Sequence, residues 1–453
     1  MSKKYLGGGS LKSLIQTILT TFPTSEITED EINDMYYPPN VYGFSIDQTA
    51  TNSDSAISYI GQNVNYTAAQ KTDAYVFDYG DWKDAFFIKN LRPCMLNYDG
   101  TEAYLLDPND YSKKLDSTDS DIDNSDFAGN VMVGIPKVYF KIVKVDDDHI
   151  NFYFSDKKVD DNYHCWAHIN NYGDEVPYYY LSIYFGQLID GKIRSFYNSN
   201  GRETNFNFDT GINDSGIVDY YEKGNNIKDY AMANNINGNN IWGLETYSSW
   251  LLITLLSILI FKDSDISDIY RPFGSTCIWG NYPKLINGFL FNIQNRQFLV
   301  KLTYGTQDGS TVEGYNFAGD GYIEGPILSS AFDHQDDCNN TYCTAHVNTD
   351  YGVDIGITGR VSKMKFTEQG IMFPVESMHF EDDTAYRFTI FAEYGDVYGD
   401  PITDRNTLYC LANGNCALSS NEKIPYNMIF IGSIFTNFYC KTSLICLPKI
   451  QTK

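Results

Sequence analysis

Four residues late in the chain carry the chemistry of a metal site: His334, Cys338, Cys343 and His346, spaced H-x3-C-x4-C-x2-H. Zinc takes four nitrogen or sulfur ligands in a tetrahedron, and this stretch supplies four of the right type. The spacing is unlike that of a zinc finger, in which two ligand pairs are separated by a longer span. Asp333, Gln335, Asp336, Asp337, Asn339 and Asn340 surround the four and mark a polar loop. Three readings stand: a zinc site, a Cys338–Cys343 disulfide and a plain loop. The expectation is a plain loop with no metal, and no other cofactor is implied anywhere in the chain.

A second stretch, Asp116 to Asp126, is acidic enough to offer oxygen ligands to calcium. It lacks the glycine and the terminal glutamate of an EF-hand loop, so a solvated loop is expected. For nucleophilic catalysis there is neither a G-x-S-x-G elbow nor an H-E-x-x-H pair. Asp308-Gly309-Ser310 follows Gly305 and is explained as a strand–turn signal. No phosphate cradle of the G-x-x-x-x-G-K type is present. Carboxylate pairs for sugar cleavage are open to any chain with 58 acidic residues, so they single out nothing. No catalytic set is defined, and the expectation is a protein that is not an enzyme.

The balance of 58 acids against 33 bases gives a net charge of −25. Duplex binding requires Lys and Arg to neutralise phosphates, so nucleic acid and anionic membranes are poor partners. An acidic surface instead keeps a protein soluble when many copies are crowded together. Aromatic residues reach 15%, with 37 Tyr. Tyrosine joins a broad contact face to a hydrogen-bonding tip and suits binding surfaces; an AT-rich genome would give the same bias. Nine cysteines in no regular framework predict buried free thiols made in a reducing cytoplasm. The start, Met1-Ser2-Lys3-Lys4, lacks the apolar stretch of a secretory signal. The longest apolar run, Trp250 to Phe261, is too short to span a bilayer and reads as a buried helix or strand.

These residues must be held by an ordered set of elements. Behind Gly7-Gly8-Gly9, Ser10 is an N-cap and Leu11, Leu14, Ile15, Ile18, Leu19 and Phe22 form one apolar stripe that Pro23 ends. Such a short helix is marginal alone, so its stripe packs on its own domain or on copies of itself. An acidic connector with Pro38-Pro39 follows. From Tyr42 to about Val145 the pattern predicts short strands, among them Ala74–Phe77, Ala85–Ile88 and Val138–Val143. Tyr-rich strands such as Val176–Leu181 continue to residue 230, and Asp229–Phe261 reads as helix. After Gly274 short strands separated by Gly, Asn and Asp turns run to the end. No repeat of 20–50 residues is visible, which argues against solenoids and propellers.

Several segments resemble phage and prophage tail proteins with a C-type-lectin-like fold, a fold shared with formylglycine-generating enzymes. Lys4-Tyr5-Leu6 with Leu11–Ile15 resembles the short N-terminal helix of tail fibre subunits. Tyr42–Asp47, Ile60-Gly61, Leu91–Leu96, Asp107–Tyr111 and Gly129–Tyr139 resemble the first β-rich module of that group. Thr303–Ser310, Gly314-Tyr315-Asn316 and Ile357–Lys365 are similar to its later segment. The cysteine pair of formylglycine-generating enzymes has no counterpart that can be placed. The last stretch, 402–453, departs from the group: it holds Cys410, Cys416, Cys440 and Cys446 and few glycines.

The resemblance implies an α+β protein in three parts. These are an N-terminal attachment and oligomerisation helix with its linker (1–42), a small β-rich module (43–155) and a large C-type-lectin-like domain (156–453). It implies a tail receptor-binding protein that adheres to a host-surface glycan or protein. Such a protein is a homotrimer joined to other phage tail proteins, made in the host cytoplasm and released by lysis within the virion tail. The alternatives are a structural tail or baseplate subunit without receptor contact, and a polysaccharide depolymerase. Irregular loops carry ligand faces in such folds, which points to Tyr409, Asn413, Asn415, Tyr426 and Asn427 as ligand-binding residues. Tyrosine faces and amide groups together suit sugars; the competing reading is that Tyr409 and Tyr426 only pack in the last strands.

Overall fold

The computed structural model describes residues 39–50, 54–73, 76–197, 222–223, 229–264, 273–275, 284–292, 297–302, 322–327, 359–377, 388–393, 408–414, 428–433, 437–438 and 443–450. The chain enters on β1 (Val41–Asp47) and β2 (Ile57–Gly61), then a hairpin, β3 (Gln70–Asp73) and β4 (Val76–Asp78). A 3-10 turn (Gly80–Asp84) leads into the one-turn helix α1 (Phe86–Lys89). There follow β5 (Arg92–Asn97), β6 (Glu102–Asp107), β7 (Asp110–Lys114), β8 (Gly129–Pro136), β9 (Tyr139–Lys144) and β10 (His149–Ser155). Next are β11 (Tyr178–Ser182), the hairpin β12 (Gly186–Ile189) and β13 (Lys192–Ser195), β14 (Glu222–Lys223) and β15 (Trp242–Leu244). After the long helix α2 (Tyr247–Phe261) come β16 (Lys284–Asn292), β17 (Gln297–Lys301), β18 (Tyr322–Ile327), β19 (Gly359–Phe366) and β20 (Met372–Ser377). The last strands are β21 (Phe388–Glu393), β22 (Leu408–Gly414), β23 (Met428–Ser433), β24 (Asn437–Phe438) and β25 (Leu444–Cys446). Among the described residues the protein is mostly β-sheet with few helices.

Alternation builds the first sheet, ordered β2-β1-β10-β9. Tyr42, Phe44 and Ile46 of β1 are buried, as are Ile150, Phe152 and Phe154 of β10, the period-two pattern of a strand with one face inward. Phe44 stands opposite Phe152 and their rings stack with centroids 4.7 Å apart. Position 43, opposite Tyr153, holds glycine where a Cβ would sit 2.7 Å from the Phe152 carbonyl oxygen. The fully buried Asn63 reads Gly43 as a neighbouring strand would: its Nδ2 donates to the Gly43 carbonyl at 2.9 Å and its Oδ1 accepts from the Gly43 amide at 2.7 Å. Trp82, with no exposed surface, packs on Tyr42, Tyr59 and Tyr66 and so ties the turn before α1 to this sheet.

The second sheet has seven strands in the order β15-β25-β11-β8-β5-β6-β7. Its centre, β8, is buried at all eight positions, as expected of a strand covered on both faces. The third sheet has eight strands in the order β18-β17-β16-β22-β23-β21-β19-β20, with β21 and β23 parallel.

Helix α2 packs against both β16 and β17 of the third sheet and the 3-10 turn Trp166–His168. Every residue from Tyr247 to Ile260 is buried, the signature of a helix apolar all round inside a core. Thr246 caps it: its hydroxyl accepts from the Ser249 amide at 3.2 Å, and Ser249 Oγ accepts from the Thr246 amide at 3.1 Å. Thr254 and Ser257 bond back to the helix's own carbonyls, to Trp250 at 2.7 Å and to Ile253 at 2.8 Å, so burial leaves neither hydroxyl donor unmet. No helix among the described residues is long and apolar enough to cross a membrane.

Two sequence expectations are corrected. Ala85–Ile88 is not a strand: Phe86–Lys89 forms a single helical turn, because Trp82, Phe86 and Phe87 cluster on one side of it. Asp229–Phe261 is not one helix. A helical turn at 229–232 stops, and Asn237 and Gly238 adopt positive φ. Asn235 Oδ1 then accepts from the amides of Ile241 and Trp242, and Trp242 enters a strand. This is asparagine in its turn-forming role. The boundary between 155 and 156 runs through one sheet and one core. The second sheet joins β5–β8 to β11, β15 and β25, and a single buried cluster extends from Tyr42 to Leu447. The N-terminal helix expected at 10–22, the segments Thr303–Ser310 and Gly314–Asn316, and the His334–His346 group lie outside the described residues. Cys94, Cys165 and Cys446 are buried free thiols.

Candidate functional site

A cleft of about 1050 Å³ opens beside the second sheet. Its floor is apolar and buried: Ile88 from α1, Pro93 from β5, Val133 from β8, Ile122 and Phe273. Half-buried aromatic rings form the walls: Phe77, Tyr79, Tyr111, Tyr184 and Tyr197. The rim is exposed and polar, with Lys89, Asn109, Asp110, Ser112, Asp119 and Asp123. An apolar base with a few convergent polar groups is the composition of a small-molecule site.

Local sequence shapes each wall. Asp107-Pro108-Asn109-Asp110 turns the chain between β6 and β7, and Asp107 Oδ1 accepts from the Asn109 amide at 2.9 Å. Asp110 Oδ1 takes both the amide (3.0 Å) and the hydroxyl (2.6 Å) of Ser112. The returning segment is pinned to β7 where Ser120 donates its amide to the Ser112 carbonyl at 2.9 Å and its hydroxyl to the Tyr111 carbonyl at 2.6 Å. Lys113 holds Asp119 in a direct ion pair. Tyr197 donates its amide to the Ile122 carbonyl at 2.8 Å, and its ring meets Tyr184 at 5.6 Å between centroids. Phe77 leans on Phe261 at the end of α2, 5.3 Å between centroids. The long helix therefore buttresses a wall of the cleft.

The charge of the rim is fixed by these bonds. The hydroxyl and amide of Ser112 hold the Asp110 carboxyl below its usual range. The hydrogen bond and charge of Lys113 do the same for Asp119. Burial raises the Tyr79 phenol, with Tyr111 adding to the effect. At neutral pH Asp110 and Asp119 are thus ionised and the Tyr79 phenol is neutral.

Tyr409 and Asn413 stand on β22, inside the eight-stranded sheet between β16 and β23. Tyr409 pairs with Phe291 and Ser433, and Asn413 with Lys284 and Ile429. Asn415, Tyr426 and Asn427 lie outside the described residues. The acidic run is spent on turns: Asp116 accepts from Thr118, Asp119 pairs with Lys113, and Asp121 accepts from Tyr104. No group of three His, Cys, Asp or Glu among the described residues is placed to hold a metal ion. The cleft itself was hidden because its walls come from segments as far apart as Phe77 and Gly274; only the turn at Pro108-Asn109-Asp110 beside Tyr111 marked it in sequence. Comparison of the chain with protein-family models, curated proteins and solved structures finds no match.

Proposed function

We propose that this chain is a recognition protein that holds a cell-surface carbohydrate in the cleft walled by Tyr79, Tyr111, Tyr184 and Tyr197. One observation carries the reading: aromatic faces and ionised carboxylates converge on a single cavity. Sugars present C–H faces that stack on rings and hydroxyls that donate to carboxylates. Phenol rings meet both needs at low cost in side-chain entropy.

The resemblance of the sequence to tail receptor-binding proteins supplies the setting. The chain would act in a virion tail as a homotrimer bound to other tail proteins, and would contact a bacterial host receptor. Three modest sites on one particle gain avidity, because the second and third contacts become intramolecular. The C-type-lectin-like architecture belongs to the same proposal. Binding, without bond cleavage, is the task assigned.

The test is adhesion of labelled full-length chain to host cells before and after enzymatic removal of surface glycans. Tyr184→Ala should weaken adhesion while the chain still melts cooperatively above the assay temperature. A scaffold subunit would show no adhesion at all. Release of reducing sugar during the assay would mark a depolymerase instead.

A further inference from the structure

We infer that the cleft accepts a saccharide without acidic groups and turns away sugars bearing carboxylate, sulfate or phosphate; this rests on the carbohydrate reading above. Most hydrogen-bond donors of the rim are already engaged within the protein. A serine hydroxyl has one proton to give and two lone pairs to offer, and a carboxylate only accepts. Ser112 gives its proton to Asp110 Oδ1 and Ser120 gives its proton to the Tyr111 carbonyl. Tyr111 Oη donates to the Gly274 carbonyl at 3.3 Å, and Asn109 Nδ2 to Asp107 at 3.3 Å. Lys113 is committed to Asp119. Beside the wall phenols and Lys89, the rim turns acceptors toward a ligand: the carboxylates of Asp110, Asp119 and Asp123. Among the described residues no hydrogen bond reaches Asp110 Oδ2, and both Ser112 bonds fall on Oδ1.

A ligand in this place must therefore bring the donors, as sugar hydroxyls do. An acidic group brings none, and it meets the carboxylates of Asp110, Asp119 and Asp123, with Lys89 the one cation of the lining among the described residues. The chain as a whole carries a charge of −25, which deepens the repulsion. Neutral polyhydroxylated ligands escape it.

The experiment uses full-length protein and a panel of glucose, galactose, mannose and N-acetylhexosamine oligosaccharides. Each is offered unmodified, and again with its primary hydroxyls oxidised to carboxylates or sulfated. Calorimetric titration should find the tightest binding to an unmodified member, and its acidic counterpart should bind about tenfold more weakly or worse. Added salt should narrow that gap by screening. Asp110→Asn with Asp123→Asn should weaken the neutral ligand and shrink the discrimination. An acidic member that binds as tightly as its neutral parent, with Tyr184→Ala weakening it, overturns the inference and leaves the carbohydrate reading standing. Failure of every member to bind overturns both. If the double variant does not fold, the salt dependence of the parent protein decides: a gap that salt leaves unchanged counts against the inference.

Discussion

The phenol of Tyr111 donates to the carbonyl of Gly274 across 163 positions of sequence, at 3.3 Å. Gly274 has φ +83°, and a Cβ built on it would lie 2.7 Å from Tyr111 Oη. One contact thus joins the edge strand β7 to the segment beyond α2 and sets the width of the cleft. Gly274→Ala should cost about 1–2 kcal/mol for the left-handed backbone alone, and more because the phenol must move. In a Tyr111→Phe background the clash is relieved, so the two substitutions should be less than additive in a double-mutant cycle of denaturation midpoints. Strict additivity would show that the two residues do not touch in solution.

Asn63 offers a second test. It satisfies both the amide and the carbonyl of Gly43 from a buried position. Asn63→Ala would strand two buried main-chain groups, at a cost of about 2–5 kcal/mol. Urea unfolding monitored by tryptophan emission reads this directly. A loss below about 1 kcal/mol would mean that water replaces the amide.

The sequence made the strands of the first sheet legible because period-two burial at Tyr42, Phe44 and Ile46 is a local property. It made α2 legible because an apolar run of that length has few other places to go. It misled at Phe86–Lys89, where tertiary clustering around Trp82 overrides the strand-forming character of the aromatic residues. It also misled at Trp242, which follows an asparagine turn that helical periodicity does not register. The cleft was illegible for a different reason. Val133, Tyr184, Tyr197 and Phe273 reach it only through the pairing of β8 with β11 and the return of the chain after α2, and no local pattern encodes that pairing.

A third prediction concerns pH. His168 is fully buried against the Tyr179 ring, 4.9 Å between centroids, with Nε2 3.4 Å from the Ile135 carbonyl. Burial pushes its pKa down to about 3. The unfolded chain takes up a proton near pH 6.5 and the folded chain does not, so stability is full above pH 6.5 and falls as the pH drops toward 3. The slope between pH 6 and 5, where most carboxylates stay ionised, should be up to about 1.4 kcal/mol per unit from this residue. His164, lowered by burial, adds in the same direction, and His149, raised by Asp146, acts in the opposite one. His168→Gln should be less stable at pH 7 but flatter with pH. Parallel stability curves for the two proteins between pH 7 and 5 would show that His168 titrates normally.

The last prediction concerns the carboxyl-terminal strand. β25 lies between β11 and β15, with Leu181 opposite Ile445 on one side and Gly243 opposite Ile445 on the other. Leu444, Ile445 and Leu447 are at most 1% exposed. Burial of such side chains contributes about 1.5–3 kcal/mol each, so the three together approach the roughly 5–15 kcal/mol that holds a domain folded. Polar bonds add to this. The Leu444 amide donates to Ser182 Oγ at 3.0 Å, the Glu245 amide to the Ser443 carbonyl at 2.9 Å, and the Leu447 amide to the Ile241 carbonyl at 2.8 Å. Removing residues 443–453 would leave both β11 and β15 with an open edge and expose the buried faces of Trp242 and Leu244. Such a chain should be insoluble or lack a cooperative melt. Removing only 450–453 should leave the melt within a few degrees of the parent, since the buried stretch ends at Leu447 and Ile450 is exposed. Leu444→Asp separates lost length from lost burial, and it should behave like the longer deletion. If the chain ending at 442 melts with the parent, β25 is an accessory to the sheet and the second sheet closes without it.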